Sequence, residues 1–164
     1  MGQLLRIWVR PSARTSVRAL ERTDAVADLG LIGDHAAGGR RQVTLLSREA
    51  WDDALRELGG GELDPALRRA NLLVEGLDLG ATIGQRLQVG PVELEVLGET
   101  RPCQLMDDAR LGLRDALAPA RRGGVFARLV RGGPLQVGDP VQLLAPAGAG
   151  PAARGSGAGP SDRA

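Results

Sequence analysis

The sequence predicts a mainly β domain with two or three helices, folded as a compact β-barrel or sandwich with helical inserts. Short apolar stretches with strand-like patterns recur along the chain, and most of them end at glycine-rich turns. Helical spacing of apolar residues is confined to a few short segments. The 164 residues suffice for one domain. We place the folded unit at residues 1–144.

The first elements are predicted from alternation and turn residues. A strand is expected at residues 4–9, with Leu5, Ile7 and Val9 on one face. Residues 17–29 fit either a strand or a helix. The segment that follows begins with a glycine-flanked turn and is a loop in this prediction.

The next segment predicts a strand followed by a helix. Residues 43–46 are apolar enough for a buried strand, and Ser47 is placed to cap a helix that runs from about residue 48 to Leu58. Three glycines at 59–61 end that helix. Asp64-Pro65 then has the sequence of a cap and first position of a second, shorter helix.

The second half of the chain is predicted to be mostly strands. They cover residues 72–74, 86–89, 92–97, 125–130 and 141–144. One helix is expected between about Asp108 and Leu117, closed by Pro119. Residues 145–164 contain only Ala, Gly, Pro, Ser, Arg and Asp, and we expect them to form a disordered tail.

The composition excludes several functional classes. All 21 basic residues are arginine, so the chain has no lysine to form a Schiff base with pyridoxal phosphate. The single cysteine and single histidine exclude a Cys/His zinc cluster. A net charge of +1 provides no broad basic field, so we expect no nucleic-acid partner.

The cellular location is inferred from the same features. No apolar run is long enough to span a bilayer, and Arg6 interrupts the apolar start before a signal peptide could form. A lone cysteine cannot form an intramolecular disulfide, which is consistent with a reducing compartment. We therefore expect a cytoplasmic protein with no membrane partner.

Cys103 is the first candidate for chemistry. It follows the strand that ends near Leu97, at an exit from strand to loop, and Pro102 stiffens the approach. Arg101 provides a positive charge that could favour the thiolate, which would serve as a nucleophile or metal ligand. The alternative is a buried, inert cysteine, because free cysteines are often buried.

His35 and the arginine doublets are further candidates. His35 follows Asp34 in a glycine-flanked loop, where the two residues could act as an acid and base pair or simply lie at the surface. A dyad of Cys103 and His35 is available, although no nucleophile motif surrounds the cysteine. Three doublets border turns and could bind a phosphate or be solvated, namely Arg40-Arg41, Arg68-Arg69 and Arg121-Arg122.

Several short motifs occur in a defined order. They are Gly30-Leu-Ile-Gly33-Asp34-His35, Arg41-Gln-Val-Thr-Leu-Leu46, Leu67-Arg-Arg-Ala-Asn71 through Leu77, Arg101-Pro-Cys103, Arg122-Gly-Gly-Val125 through Gly133, and Val137-Gly-Asp139. In this order and at these intervals they resemble the MOSC domain, named for the C-terminal domain of molybdenum-cofactor sulfurase. The resemblance covers most of residues 1–144 and implies a MOSC-type β-barrel.

The resemblance implies chemistry of the molybdenum cofactor (molybdopterin) centred on Cys103. In relatives similar to the mitochondrial amidoxime-reducing component, the matching cysteine supplies a thiolate to molybdenum held by a pterin dithiolene. An N-hydroxylated or N-oxygenated small molecule would be reduced there, with electrons from a separate flavin or haem reductase. The catalytic candidates are then Cys103, His35 and Asp34.

The same resemblance implies which residues hold the cofactor. The Arg-x-Asn pattern of Arg69 and Asn71 would line its pocket. Further candidates for its phosphate and pterin edges, chosen on charge and loop position, are Arg41, Arg101, Arg122 and Arg128.

A second role known in the family is sulfur carriage. A partner cysteine desulfurase would place a persulfide on Cys103 for delivery to a metal centre, and Arg101 would favour the thiolate. Pyridoxal phosphate would belong to that partner, because this chain has no lysine to hold it. A third possibility is a non-catalytic binding module, whose function would survive loss of the thiol.

Overall fold

The computed structural model describes residues 1–145. Its strands are β1 (Gly2–Val9), β2 (Arg18–Leu20), β3 (Arg22–Val26), β4 (Gly30–Leu31), β5 (Val43–Ser47), β6 (Leu72–Glu75), β7 (Arg86–Val89), β8 (Val92–Glu99), β9 (Val125–Arg131), β10 (Gly133–Gln136) and β11 (Pro140–Leu143). Its α-helices are α1 (Arg48–Glu57), α2 (Gln104–Ala109) and α3 (Leu113–Leu117), and short 3-10 turns occupy Pro65–Arg68, Leu79–Ala81 and Pro119–Arg121.

Seven strands close into a barrel in the order β11, β7, β8, β9, β5, β6 and β1, and β1 pairs back with β11. Every neighbouring pair is antiparallel except β5 and β6. That parallel pair needs a crossover connection, which α1 and the 3-10 turn at Pro65–Arg68 provide. The prediction of a mainly β domain with a few helices, in the form of a barrel, is confirmed.

Two short additions flank the barrel. Strand β2 pairs with β1, and β10, β3 and β4 form a separate three-stranded sheet. Residues 17–29, which the sequence left undecided, contain strands rather than a helix. Strand β10 was not predicted, because its sequence Gly-Pro-Leu-Gln reads as a turn, yet it pairs with β3.

The apolar residues form two clusters. The barrel interior contains inward-facing side chains from its strands, including Ile7, Leu45 and Leu94. The second cluster lies between the barrel wall and the helices, and it includes Trp51 of α1 and Met106 of α2. The barrel therefore presents an apolar outer face on which the helices pack.

The prediction of which β1 side chains share a face was wrong at the start of the strand. Leu4 lies in the barrel interior with Ile7 and Val9, whereas Leu5 packs against the helical cluster. The cause is a shift in the pairing with β6 between Leu4 and Arg6, because a bulge moves the following residues to the other face.

Both predicted caps are confirmed. The Ser47 hydroxyl accepts a hydrogen bond from the Ala50 amide at 3.2 Å and begins α1. The Asp64 carboxylate accepts one from the Ala66 amide at 2.9 Å and begins the 3-10 turn.

The helix predicted over Asp108–Leu117 is two helices. The first, α2, begins at Gln104 directly after Cys103, and Gly112 with φ of 92° separates it from α3. Glycine adopts this left-handed conformation without strain, which lets the chain turn between the two helices.

The predicted tail over residues 145–164 lies outside the described residues except for Ala145. Within the described part of the chain, none of the helices combines the length and the apolar character that crossing a membrane requires.

Candidate functional site

A cleft of about 330 Å³ lies beside Cys103. All of its lining residues belong to the described part of the chain, and none of them is acidic. Five are arginines, namely Arg10, Arg41, Arg68, Arg69 and Arg101. A cleft with this lining attracts anions, although the net charge of the whole chain is only +1.

The Cys103 thiol is exposed at this cleft. The residue occupies the N-cap position of α2, and its carbonyl accepts a hydrogen bond from the Met106 amide at 2.9 Å. Met106 is buried in the helical core and fixes the start of the helix. The alternative of a buried cysteine is therefore wrong, because Cys103 is exposed to solvent.

Arg68 brings a partly buried positive charge to the cleft. Its Nε donates to the Gly123 carbonyl and its Nη2 to the Thr100 carbonyl, each at 2.8 Å. Burial is the main cause of a pKa of Arg68 below its usual value; the coulombic interaction with Cys103 opposes this lowering, and the positive charge of Arg41 adds to it. The guanidinium stays protonated in proteins, so the cleft keeps this charge.

Gly123 makes room for this arrangement. A Cβ at that position would lie 2.6 Å from the Thr100 carbonyl oxygen and 3.2 Å from the Arg68 Nη2. The hydrogen-bonded contact between Arg68 and the loop therefore requires glycine. The sequence indicates Arg68 only as part of a doublet, and its position at the end of a capped turn is the one local signal that sets it apart.

Arg69 lines the cleft and also holds a neighbouring loop. Its backbone is left-handed, with φ of 65°. Its guanidinium donates to the Thr15 carbonyl at 2.6 Å and to the Ala13 carbonyl at 3.2 Å. No described carboxylate pairs with Arg41, Arg68 or Arg69. These charges are therefore not neutralised by a neighbouring acidic side chain.

Arg10 and Asp34 form a buried ion pair at the edge of the cleft. The Arg10 Nε lies 3.1 Å from one Asp34 oxygen, and its Nη2 lies 3.0 Å from the other. Burial raises the pKa of Asp34, but the hydrogen bonds and charge of Arg10 outweigh this and hold it below its usual value. Asp34 is therefore ionised and fully engaged at neutral pH.

Asn71 completes this network behind the cleft. Its Nδ2 donates to the Trp8 carbonyl at 3.0 Å and to Asp34 at 3.1 Å. Its Oδ1 accepts from the Thr44 amide at 3.0 Å. The side chain is completely buried and is not among the residues that line the cleft. In this structure its amide holds strands together.

The family model for the MOSC domain matches residues 32–142, a span that includes Cys103 and four of the cleft arginines. The chain belongs to the MOSC domain family. The MOSC family is associated with molybdenum cofactor. No curated protein matches this MOSC domain.

Solved structures share the fold of this MOSC domain at low sequence identity. The YuaD protein from Bacillus subtilis is 20% identical, with a TM-score of 0.73 over 86% of this chain and 94% of that one. YiiM from Geobacillus stearothermophilus is 16% identical, with a TM-score of 0.70 over 88% and 76%. YiiM from Escherichia coli is 18% identical, with a TM-score of 0.65 over 88% and 70%.

The structure brings only some of the predicted site residues together. Cys103, Arg41, Arg69 and Arg101 meet at the cleft. Asp34 and Asn71 do not contribute free polar groups to it, because they bond to each other.

His35 is exposed and does not line the cleft, and its amide donates to the Arg10 carbonyl at 2.8 Å. The expectation of an acid and base pair is corrected, because the Asp34 carboxylate binds Arg10 rather than the imidazole of His35. The dyad of Cys103 and His35 is not supported, because His35 does not line the cleft beside Cys103.

Two of the predicted cofactor-binding arginines lie elsewhere. Arg122 pairs with Glu57 at 2.6 Å and borders a different cavity. Arg128 pairs with Asp28 at 2.7 Å and with Glu95 at 3.0 Å on the barrel wall. The expectation that they face the cofactor is corrected, since loop position alone does not fix the direction of a side chain.

The remaining residues fit an anionic cofactor whose metal takes a thiolate ligand. A cysteine thiolate is a transition-metal ligand, and guanidinium groups bind phosphate through paired hydrogen bonds. Cys103 supplies the first, and Arg69 and Arg101 supply the second. The Arg101 side chain is largely exposed, and the carboxylate that it pairs with, Glu99, lies 3.9 Å away.

Proposed function

We propose that this MOSC domain binds molybdenum cofactor in the cleft beside Cys103 and there reduces N-hydroxylated or N-oxygenated small molecules. One observation carries the proposal: an exposed thiol opens onto a cleft that has five arginines and no acidic lining residue. The association of the MOSC family with this cofactor supports it. The exposed free thiol also suits the reducing cytoplasm, where we place the protein.

The cleft residues have separate roles in this proposal. Cys103 provides the sulfur ligand of the metal. Arg68 provides a fixed positive charge, because two carbonyl hydrogen bonds hold its guanidinium. Arg69 and Arg101 bind the phosphate of the cofactor, and Arg41 borders the cleft where substrate enters.

The net reaction cleaves the N–O bond, consumes two electrons and two protons, and releases water. The bound cofactor supplies the oxygen-atom transfer chemistry. A separate flavin or haem reductase supplies the electrons. Asp34 is already ionised and paired, so it donates no proton, and water at the open cleft provides the protons.

Sulfur carriage is the second candidate, and the exposure of the Cys103 thiol favours it. The thiolate would attack the persulfide of a cysteine desulfurase, take its outer sulfur and leave a thiolate on the partner. The pyridoxal phosphate of that reaction would stay on the desulfurase. This role requires the thiol but does not require a bound cofactor.

The first experiment measures molybdenum and pterin in protein purified from a host that makes the cofactor. We expect near-stoichiometric metal in the parent protein and its loss in Cys103→Ala, with folding checked by circular dichroism. Arg48→Gln is the matched control, because Arg48 pairs with Asp52 on α1 and borders another cavity. Absence of metal and pterin from both the parent and the control would overturn cofactor binding.

The second experiment separates the two candidates. The loaded protein, with a reduced viologen dye as electron donor, should convert an amidoxime to the amidine, and Cys103→Ala should not. A desulfurase with cysteine should instead load a persulfide on Cys103 if the protein is a carrier. Persulfide transfer without amidoxime turnover would replace the first proposal by the second.

A further inference from the structure

Two guanidinium groups surround a single aromatic ring next to the cleft. The Arg40 Cζ lies 5.3 Å and the Arg41 Cζ 5.2 Å from the centroid of the Phe126 ring, within the range of cation–π contacts. Phe126 is only 6% exposed, whereas both arginines are exposed. The ring therefore positions two positive charges that remain open to solvent.

The barrel wall is shaped to accept this ring. Val125 and Ala127 of β9 point into the barrel, so Phe126 between them points outward. Gly98 of β8 stands opposite, where a Cβ would lie 2.8 Å from Cε1 and 2.9 Å from Cζ of the ring. The pairing of β8 with β9 also shifts between Val96 and Gly98. Glycine and the bulge together leave the space for Phe126.

The strand register places this pair beside the Cys103 cleft. Phe126 of β9 is directly opposite Thr44 of β5. Directly paired residues have their side chains on the same face of a sheet, about 4.5–5.5 Å apart at Cβ. Thr44 and Arg41 both line the cleft. The arginine pair thus lies at the border of the cleft.

The two charges have no acidic partner in the described part of the chain. No ion pair joins Arg40 or Arg41 to a described carboxylate, whereas the exposed Arg48 pairs with Asp52 at 3.4 Å. Adjacent positive charges repel each other, and a single aromatic ring offsets only part of this repulsion. An anionic group bound between them would relieve it, because guanidinium forks match carboxylate and phosphate oxygens.

We infer that Arg40 and Arg41, held by Phe126, form an anion subsite that binds a carboxylate or phosphate group of the substrate. The inference rests on the proposed function, which gives N-hydroxylated compounds as the substrate class. The subsite narrows that class to compounds that also carry an anionic group. Arg40 is the specificity-determining residue of this subsite, because it does not line the cleft where the cofactor would bind.

The test compares three probes that differ in one substituent: benzamidoxime, para-carboxybenzamidoxime and para-phosphonobenzamidoxime. Binding is measured directly by ligand-observed NMR titration, with no turnover required, and KM is measured in the dye-coupled assay. Both anionic probes should bind more tightly than benzamidoxime. Arg40→Gln should weaken their binding about tenfold and leave benzamidoxime unchanged. Preference for one anionic probe assigns the subsite to a carboxylate or to a phosphate.

Arg48→Gln removes an equal charge at the other end of β5 and should change none of these constants. Equal affinity for charged and neutral probes, or an equal effect of Arg40→Gln and Arg48→Gln, would overturn the subsite. If no probe is turned over but the anionic probes still bind in an Arg40-dependent way, the reductase proposal fails and the subsite stands. Phe126→Leu, checked for folding, should repeat the effect of Arg40→Gln.

Discussion

Replacing Asn71 by alanine should destabilise the protein even when no cofactor is bound. The side chain is completely buried, with Oδ1 accepting from the Thr44 amide and Nδ2 donating to the Trp8 carbonyl, both at 3.0 Å. Nδ2 also donates to Asp34 at 3.1 Å. The Asn71 amide thus connects β5, β1 and the loop that carries Asp34.

We expect Asn71→Ala to lower the free energy of unfolding by about 3–5 kcal/mol. The substitution deprives the Thr44 N–H and the Trp8 carbonyl of these bonds, and each buried group left without a partner costs about 1–3 kcal/mol. The space left by the amide adds a smaller cavity cost. This is a large part of the roughly 5–15 kcal/mol that stabilises a typical domain.

The assay is urea unfolding of the cofactor-free protein, followed by circular dichroism, with Arg48→Gln as the surface control. Asn71→Asp adds a second test, because it keeps the shape but places a carboxylate oxygen beside Asp34. That variant should lose stability at neutral pH and regain part of it in mild acid, where one of the two carboxyls takes up a proton. A cost below about 1 kcal/mol for alanine, or a loss confined to cofactor-loaded protein, would refute the reasoning.

Three further outcomes follow from other contacts. The folded pKa of Asp34 is lowered, so its bonds to Arg10 stabilise the protein above the unfolded value of 3.8 and are lost as the pH falls through the folded value. The stability difference between the parent and Asp34→Asn, measured by urea unfolding at several pH values, should shrink in that acid range. Gly98→Ala should displace the Phe126 ring and weaken para-carboxybenzamidoxime binding in NMR titrations, without removing a charge. Trp51→Ala should cost about 3–5 kcal/mol in thermal or urea unfolding, because its side chain is only 1% exposed.

Local signals in the sequence predicted much of the fold. The caps at Ser47 and Asp64 are determined by the hydrogen bonds of their own side chains, so their positions could be inferred without tertiary information. The closure of β1 onto β11 joins opposite ends of the described chain and has no local signal. The bulge after Leu4 was missed for a related reason, because it depends on the pairing with β6.

The site was predicted less completely than the fold. Cys103 could be singled out because the sequence contains no second cysteine. The direction of each arginine depends on partners far away in the chain, as when Arg128 turns to Asp28, 100 residues earlier. Arg68 reaches Thr100 and Gly123 across the fold, and no spacing rule in the sequence predicts that contact.

The contrast between Asn71 and Arg68 changes how the motif should be interpreted. Both lie in the Leu67–Leu77 motif, one of those on which the resemblance rests, yet Asn71 is fully engaged with protein atoms and Arg68 brings its charge to the cleft. Asn71 therefore holds strands of the barrel together, whereas Arg68 is held by the Gly123 and Thr100 carbonyls and contributes its charge to the cleft. Loss of Asn71 should reduce cofactor content and stability together, whereas Arg68→Met should reduce cofactor content by more than its effect on stability. If the loss of cofactor content were in the same proportion to the loss of stability in both variants, the segment would have only a structural role.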